Sequence, residues 1–258
     1  MDKKNIYGIE IAQISMKNLI KDLTIKSKEK NFKGYITAAG VHGLIESHNN
    51  ENIYLAYKNA YLNIPDGVPL VWYSKIKGSK NIERCFGPEV MDLFLCKTKN
   101  ENLTHYFYGS TNDVLKKLKD NFEKKYKSNI VGMHSPPFRE QKPDELRQII
   151  NKINLLNPDI IWVGLGCPKQ ELFMFKNYNS FNSKIMIGVG AAFDYHSGSI
   201  KYAPKIIQKM GLEWLYRLIQ EPRRLFGRYF VIIPKFLYLV IKEFFQSIFI
   251  RNDHKSQI

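Results

Sequence analysis

The sequence lacks the marks of a disulfide scaffold and of a structural zinc site. Only three of its 258 residues are cysteine, Cys85, Cys96 and Cys167, and no two of them have CxxC spacing. An odd number of widely separated cysteines argues against both kinds of cross-link. The opening stretch, MDKKNIYGIEIAQIS, also lacks the apolar core of a signal peptide. We therefore expect a reduced, cytoplasmic protein.

Common nucleotide-binding and metal-binding patterns are missing as well. Neither G-x-G-x-x-G nor G-x-x-x-x-G-K-[ST] occurs, and in VGLGCPKQE (163–171) Pro168 and Lys169 follow Cys167 without a third glycine. This disfavours a nucleotide-dependent oxidoreductase, which we keep as an alternative. No DxD-like pair is present to hold a divalent metal between phosphates, and the histidines show no ligand spacing. We expect neither a metal site nor a cofactor.

Acidic residues are too few to balance the basic ones, which leaves a formal charge of +15. Such an excess usually indicates a polyanionic partner. Residues 201–258 contain 11 Lys and Arg against 4 Asp and Glu, a local excess of 11 − 4 = +7 beside an apolar tail. That location favours an anionic membrane surface over nucleic acid, for which no binding motif is present. A non-enzymatic basic protein that binds membrane or nucleic acid is the other alternative.

Short apolar runs alternate with amphipathic segments from residue 34 to about residue 200. This alternation predicts an α/β fold, a Rossmann-like parallel sheet flanked by helices. Ligands of such sheets bind beyond the carboxyl ends of the strands. The loops expected to converge there are 37–43, 109–112, 164–171 and 188–198. We predict two domains, an α/β domain over 1–200 and a helical C-terminal appendage over 201–258.

The appendage ends in an apolar tail, Tyr229–Ile250, which Pro234 and three charged residues interrupt. At 100° per residue its basic side chains and Gln246 fall on one narrow stripe, and the rest of the helix is mostly apolar. This pattern is typical of a helix at a bilayer interface, so we expect peripheral association with the inner face of the plasma membrane. The alternative is a terminal helix packed on the domain or on a second subunit of a homo-oligomer.

Several loop residues could carry chemistry. Asp66 follows an apolar run in IPDG and could act as a general base or simply form a turn. Glycine turns allow a nucleotide to approach the backbone closely, and here they involve Gly109, Ser110 and Gly166.

Four further side chains have two interpretations each. Gln170 and Glu171 could contact a nucleobase or a sugar hydroxyl, or be solvated in a first helical turn. Phe193 could pack on a base or fill the core, and Asp194 could bind a sugar hydroxyl or cap a turn. Because no metal site is evident, a diphosphate would need cationic side chains, and the candidates are Arg217, Arg223, Arg224 and Arg228.

Six stretches, in order over roughly residues 35–230, resemble the WecG/TagA/CpsF family of bacterial glycosyltransferases (glycosyltransferase family 26). They are NIPDGVPLVW, RCFGPEVMDLFL, YFYGS, PDIIWVGLGCPKQELF, GVGAAFDYHSGSIKYAP and GLEWLYRLIQEPRRLFGRY. The resemblance implies an inverting, metal-independent transferase that moves a sugar of N-acetylmannosamine type. The donor would be a UDP-sugar and the acceptor an undecaprenyl-diphosphate-linked saccharide of a cell-surface polysaccharide such as teichoic acid, capsule, exopolysaccharide or an enterobacterial-antigen-like polymer.

The resemblance also implies roles for individual residues. Asp66 matches the proposed general base, and Arg84 the arginine that follows the acidic loop. Thr37 matches a threonine near the active site, and Gln170 the glutamine of the PKQE turn. The appendage arginines are matched by Arg217, Arg224 and Arg228, with Arg223 alongside.

The sequence departs from the family pattern at one point near the predicted site. Family members often carry asparagine two residues after the threonine, whereas Ala39 or Gly40 stands here. The missing side chain leaves the identity of both sugars open. Pro69 replaces a common glycine in the Asp66 loop, which is a smaller change.

Overall fold

The structure is a computed structural model that describes the backbone of residues 2–253 and all side chains of that range except 209 and 243–253. The chain divides into two compact units, Met1–Tyr202 and Ala203–Ile258, two residues after the predicted boundary.

The first unit contains one large sheet and one small one. Its strands are β1 (Lys3–Ile6), β2 (Ile9–Ala12), β3 (Gly34–Ala39), β4 (Leu62–Pro65), β5 (Thr104–Gly109), β6 (Asn129–His134), β7 (Ile160–Gly164) and β8 (Ile185–Gly188). β1 and β2 form an antiparallel hairpin. The other six strands form one sheet in the order β4-β3-β8-β7-β5-β6, and every neighbouring pair is parallel. The predicted Rossmann-like α/β fold is confirmed.

Helices connect these strands. They are α1 (Met16–Lys28), α2 (Val41–Asn49), α3 (Glu51–Lys58), α4 (Val68–Ile76), α5 (Gly87–Lys97), α6 (Asn112–Tyr126), α7 (Pro143–Leu156), α8 (Lys169–Asn177) and α9 (Ala192–His196), and a short 3-10 helix spans Tyr178–Ser180. The local sequence explains where several of these helices begin. The Thr111 hydroxyl accepts from the Val114 amide and caps α6, and Asn50 caps α3 in the same way, which separates α3 from α2.

The core lies on both faces of the sheet, as the apolar runs of the central strands require. Ile160 and Trp162 of β7 pack with apolar side chains of α1, α5 and α6. The alternate residues Ile161 and Val163 pack with side chains of α7 and α8 on the opposite face. The result is a three-layer arrangement that fixes the strand ends at one edge.

The second unit is helical. Its helices are α10 (Lys205–Lys209), α11 (Glu213–Gln220) and α12 (Pro222–Asp253), and α12 continues through Pro234. Gln246, which belongs to the predicted basic stripe, lies outside the residues whose side chains are described. Over the part of the chain that the structure describes, no helix combines the length and apolar character needed to cross a bilayer.

The close packing of the carboxyl end of β5 against β7 requires a glycine at position 109. Gly109 has a φ of +127°, and a Cβ added there would lie 2.5 Å from the Gly164 carbonyl oxygen of the neighbouring strand. An alanine would therefore meet both backbone strain and a backbone clash.

We expect Gly109→Ala to lower the free energy of unfolding by about 2–4 kcal/mol. Gly67→Ala is the control, because its added Cβ meets nothing closer than 3.8 Å and the residue only loses a favourable helix-cap position, which costs about 1 kcal/mol or less. Urea unfolding of both variants measures the difference. Equal losses would contradict the close approach of β5 and β7.

Candidate active site

Asp66 occupies a tightly held corner where β4 ends. Its backbone N–H donates to the Ala39 carbonyl oxygen at 2.9 Å, which joins it to the end of β3. Its side-chain Oδ1 accepts from the Gly87 N–H at 3.0 Å. Its carbonyl oxygen accepts from Arg84 Nε at 2.8 Å. The half-buried carboxylate is thus fixed in orientation at the carboxyl edge of the sheet.

Arg84 lies beside this corner and is held from two sides. Besides its bond to the Asp66 carbonyl, its guanidinium carbon lies 4.1 Å from the centre of the Phe86 ring. A cation ordered in this way contributes a fixed positive charge close to the Asp66 carboxylate.

Gly87 brings the start of α5 against the loop after β8. A Cβ at this position would lie 2.9 Å from the Val189 carbonyl oxygen, so a larger residue would push the two segments apart. The close approach allows the Gly87 N–H to reach Asp66, and it connects the β4 corner with the β8 loop.

Thr37 lies in β3 between Asn63 of β4 and Gly188 of β8. It is fully buried, and its hydroxyl donates to Asn63 Oδ1 at 2.6 Å. The Asn63 amide in turn donates to the carbonyl oxygens of Glu10 and Tyr57. The Thr37 side chain therefore supports the strand ends from within the sheet.

The turn after β5 also has an unusual backbone. Ser110 has a φ of +56°, directly after the positive φ of Gly109. Its carbonyl oxygen accepts from the Ser135 hydroxyl at 2.7 Å, which links this turn to the end of β6. Gly166, in the turn after β7, has a φ of +77° and open space where a Cβ would be.

Gln170 connects the start of α8 to the loop after β8. Its Oε1 accepts from the Gly190 N–H at 3.0 Å, and its Nε2 donates to Glu171 Oε1 at 2.9 Å. Both side chains are buried, so the interpretation of a solvated first helical turn is wrong. They hold two loops of the edge together.

Glu171 is 0% exposed and its Oε2 has no hydrogen-bond partner within the described residues. Burial raises the pKa of Glu171 to about 7, and the negative charge of Asp66 adds to this effect. Near neutral pH the carboxyl group therefore exists in both protonated and ionised forms.

Tyr57 of α3 completes this acidic cluster. It is buried, its hydroxyl lies 3.9 Å from Cys167 Sγ, and burial raises its pKa well above the ordinary value, with Cys167, Glu171 and Asp66 acting in the same direction. Four acidic groups from three segments thus face one another behind the corner.

Phe193 and Asp194 lie in α9. Phe193 is 1% exposed, its ring centre lies 5.6 Å from that of Phe107, and Gly164 leaves the space that the ring fills. With no exposed face for a nucleobase, Phe193 takes the core role of the two that the sequence left open. Asp194 is half-buried, and its carbonyl oxygen accepts from the Ile200 N–H and the Ser197 hydroxyl.

The four predicted arginines belong to the second unit. Glu221 binds two of them: its carboxylate accepts from Arg217 at 3.1 Å and from Arg224 at 2.6 and 2.7 Å. Burial alone would raise the pKa of Glu221, but the bonds and charges of the two arginines bring it below its ordinary value. Arg223 is exposed and Arg228 half-buried.

The described residues contain no group of three or more histidine, cysteine or acidic side chains placed to hold a metal ion. The first unit thus carries one oriented carboxylate, one ordered cation and two turns with positive φ values. The second unit, taken by itself, contains a group of arginines.

A model of the glycosyl transferase WecG/TagA/CpsF family matches residues 4–248. The chain belongs to this family. An N-acetylglucosaminyldiphosphoundecaprenol N-acetyl-beta-D-mannosaminyltransferase of Bacillus spizizenii is 26% identical over 242 residues, which cover 94% of this chain and 92% of the relative. A protein of the same name from Bacillus subtilis (strain 168) is 30% identical over 180 residues, or 70% of this chain and 68% of the relative.

The WecG/TagA/CpsF resemblance seen in the sequence is therefore confirmed. The chain is a glycosyltransferase of the hexosyltransferase type. This decides against a non-enzymatic basic protein and against an oxidoreductase.

Some residues of the site were not predicted from the sequence. They are Asn63, Tyr57 and Gly87, whereas Cys167 and Gly190 lie in two of the loops that were expected at the strand ends. Gly87 lies within the stretch RCFGPEVMDLFL, at the start of α5, and could have been found there. Tyr57 and Asn63 carry no local signal, because their role depends on which helix packs against which strand.

Glu171→Gln tests the buried carboxyl group through stability. An acid whose pKa rises from about 4.5 in the unfolded chain to about 7 in the folded one loses stability as pH rises through that window. The loss amounts to about 3 kcal/mol. Glutamine keeps an oxygen for the Gln170 amide and cannot ionise, so the variant should lack this loss.

The measurement is the free energy of unfolding of both proteins between pH 4.5 and pH 8. We expect the free energy of unfolding of the variant to increase relative to that of the native protein as pH rises. Parallel pH profiles would show that Glu171 does not titrate in this window.

Proposed function

We propose that the chain transfers a hexosamine of N-acetylmannosamine type from a UDP-sugar to an undecaprenyl-diphosphate-linked saccharide. Both relatives are named for transfer of N-acetylmannosamine to N-acetylglucosaminyldiphosphoundecaprenol. The product would be an intermediate of a cell-surface polysaccharide. The observation that carries the proposal for this chain is the oriented carboxylate of Asp66 at the carboxyl edge of the sheet.

In the proposed mechanism Asp66 acts as general base. It removes the proton of the acceptor hydroxyl while the hydroxyl oxygen attacks the anomeric carbon of the donor. The bond from that carbon to the diphosphate oxygen breaks on the opposite side, so UDP leaves and the anomeric configuration inverts. The Gly87 N–H supports this role, because it fixes the direction in which the carboxylate points.

Arg84 is proposed as a second catalytic group. Its charge lies beside the Asp66 carbonyl and is available to stabilise negative charge in the transition state. Its contact with the Phe86 ring limits the orientations of the guanidinium and so keeps that charge in place.

The nucleotide is proposed to bind at the open turns after β5 and β7. At Gly109, Ser110 and Gly166 the positive φ values turn the backbone in a way that suits close approach of a ligand. Asp194 is a candidate for the sugar or ribose hydroxyls. We propose that Thr37, Gln170 and Glu171 contribute to substrate binding indirectly. Their side chains fix the strand ends and loops that contact the substrate.

The diphosphate charge is proposed to be offset by arginines in place of a metal ion. Glu221 already holds the guanidinium groups of Arg217 and Arg224 near each other, which makes them a prepared pair for an anion. Arg223 and Arg228 lie close to them in sequence. These four residues could contact the donor diphosphate, the lipid diphosphate, or both.

The C-terminal unit is proposed to bind the inner face of the plasma membrane. Phe226, Phe230, Leu237 and Ile241 are exposed and fall within about 60° of one another on α12. Arg224, Lys235 and Lys242 are exposed on a separate stripe, centred about 140° away around the helix. A helix with an apolar face and a separate basic stripe suits an anionic bilayer surface.

Asp66→Asn tests the general base. Asparagine keeps an oxygen for the Gly87 N–H but cannot accept the proton, so we expect turnover to fall by about 10²–10⁴-fold while UDP binding is retained. UDP release with a short-chain lipid-diphosphate saccharide measures turnover, and calorimetry measures UDP binding.

Asp113→Asn, an exposed change of the same chemistry on α6, is the control and should be without effect. Turnover of the Asp66 variant close to that of the native protein would remove Asp66 from the role.

Phe226→Ser combined with Phe230→Ser tests the apolar face of α12. Both rings are exposed, so the change should leave folding intact and weaken binding to anionic vesicles by about tenfold or more. Sedimentation with vesicles measures the partition, and circular dichroism checks the fold. Unchanged partition would contradict a membrane role for this face.

A further inference from the structure

A second apolar surface lies on α4, in the first unit. The inner side of this helix is formed by Leu70, Val71 and Ser74, which are buried. Trp72 and Ile76 lie four residues apart on the opposite side and are 52% and 79% exposed. Residues at this spacing share one face of a helix, so the two side chains form a continuous apolar strip.

Lysines surround the carboxyl end of this strip. Lys75 and Lys80 are exposed. The Lys4 ammonium group donates to the Lys77 carbonyl oxygen, and this bond brings β1, with Lys3 as well, to the end of α4. Glu10 forms an ion pair with Lys3 and so offsets its charge, and the Glu83 carboxylate accepts from the Met16 N–H.

The apolar strip lies on the helix that begins directly after Asp66. Gly67 caps α4 directly after Asp66, and the helix runs for nine residues, or about 14 Å. Trp72 and Ile76 therefore lie on the helix that leads away from the proposed base, on its outer side.

We propose that this α4 face, defined by Trp72, Ile76, Lys75, Lys80 and the β1 lysines, binds the surface of an anionic bilayer independently of α12. Tryptophan is favoured at the level of the lipid headgroups, and lysines near the surface attract anionic lipids. The contact would keep the Asp66 edge at the depth of a lipid-linked acceptor. The statement about the acceptor rests on the proposed function.

The size of the strip favours a bilayer over a protein partner. A stable protein interface buries about 1,000 Å² or more, which two large apolar side chains do not provide. A bilayer needs only a few inserted side chains, and the surrounding lysines add attraction to its headgroups. A second copy of the chain would carry the same positive charge and repel it.

The test compares two double variants of the full chain. Trp72→Ser with Ile76→Ser removes the strip. Leu155→Ser with Leu156→Ser makes a similar change at the exposed end of α7, where the side chains are 86% and 47% exposed. Each is sedimented with vesicles of phosphatidylcholine and phosphatidylglycerol.

We expect the α4 variant to lose about tenfold or more of its vesicle partition and the α7 variant to keep it. Equal partition of the α4 variant and the native protein would overturn the proposal. So would a change of oligomeric state in the α4 variant, seen by analytical ultracentrifugation, without a change in vesicle binding.

Activity separates this proposal from the proposed function. With a long-chain acceptor embedded in vesicles the α4 variant should be slower than the native protein, and with a water-soluble short-chain acceptor the two should match. Equal losses with both acceptors would assign the strip to folding or to acceptor binding and overturn the bilayer role. If the native protein transfers no sugar to either acceptor, the proposed function fails, and the vesicle partition alone decides on the α4 face.

Discussion

Three hydrogen bonds at one corner determine how the candidate site is built. The Asp66 amide is tied to β3, its carboxylate to the start of α5, and its carbonyl to Arg84. Each bond uses a group that would otherwise need water, so the corner is stable only when β3, β4 and the segment 84–87 are all in place. The same bonds that satisfy the backbone therefore orient the carboxylate.

Behind this corner lies a cluster in which burial raises the pKa values of Tyr57 and Glu171. Tyr57, Cys167 and Glu171 are held close to one another and to the charge of Asp66, with little water to stabilise a second negative charge. When Glu171 is protonated, the cluster carries one negative charge fewer beside Asp66. The fully buried Glu171 and the half-buried Asp66 thus lie in different environments, which suits different roles.

Much of the fold could be predicted from the sequence, because apolar runs ending in glycine mark the strands and their carboxyl ends. The strands that end at Gly109 and Gly164 illustrate this, since Gly109 leaves room for the neighbouring strand and Gly164 for the Phe193 ring. The burial of Gln170 and Glu171 could not be predicted. It depends on the packing of α3, α8 and α9 against one another and against the sheet, contacts between residues far apart in the chain that no local pattern encodes.

The central claim is that this chain joins a hexosamine from a UDP-sugar to a lipid-diphosphate saccharide. The direct measurement is incubation of the purified protein with UDP-N-acetylmannosamine and a short-chain N-acetylglucosaminyl diphosphate lipid, followed by mass spectrometry and by NMR of the new glycosidic bond. The account predicts a disaccharide lipid with inverted anomeric configuration and one UDP released for each bond formed. Retained configuration would contradict the role of Asp66, and no transfer from this donor or from other UDP-hexosamines would contradict the claim itself.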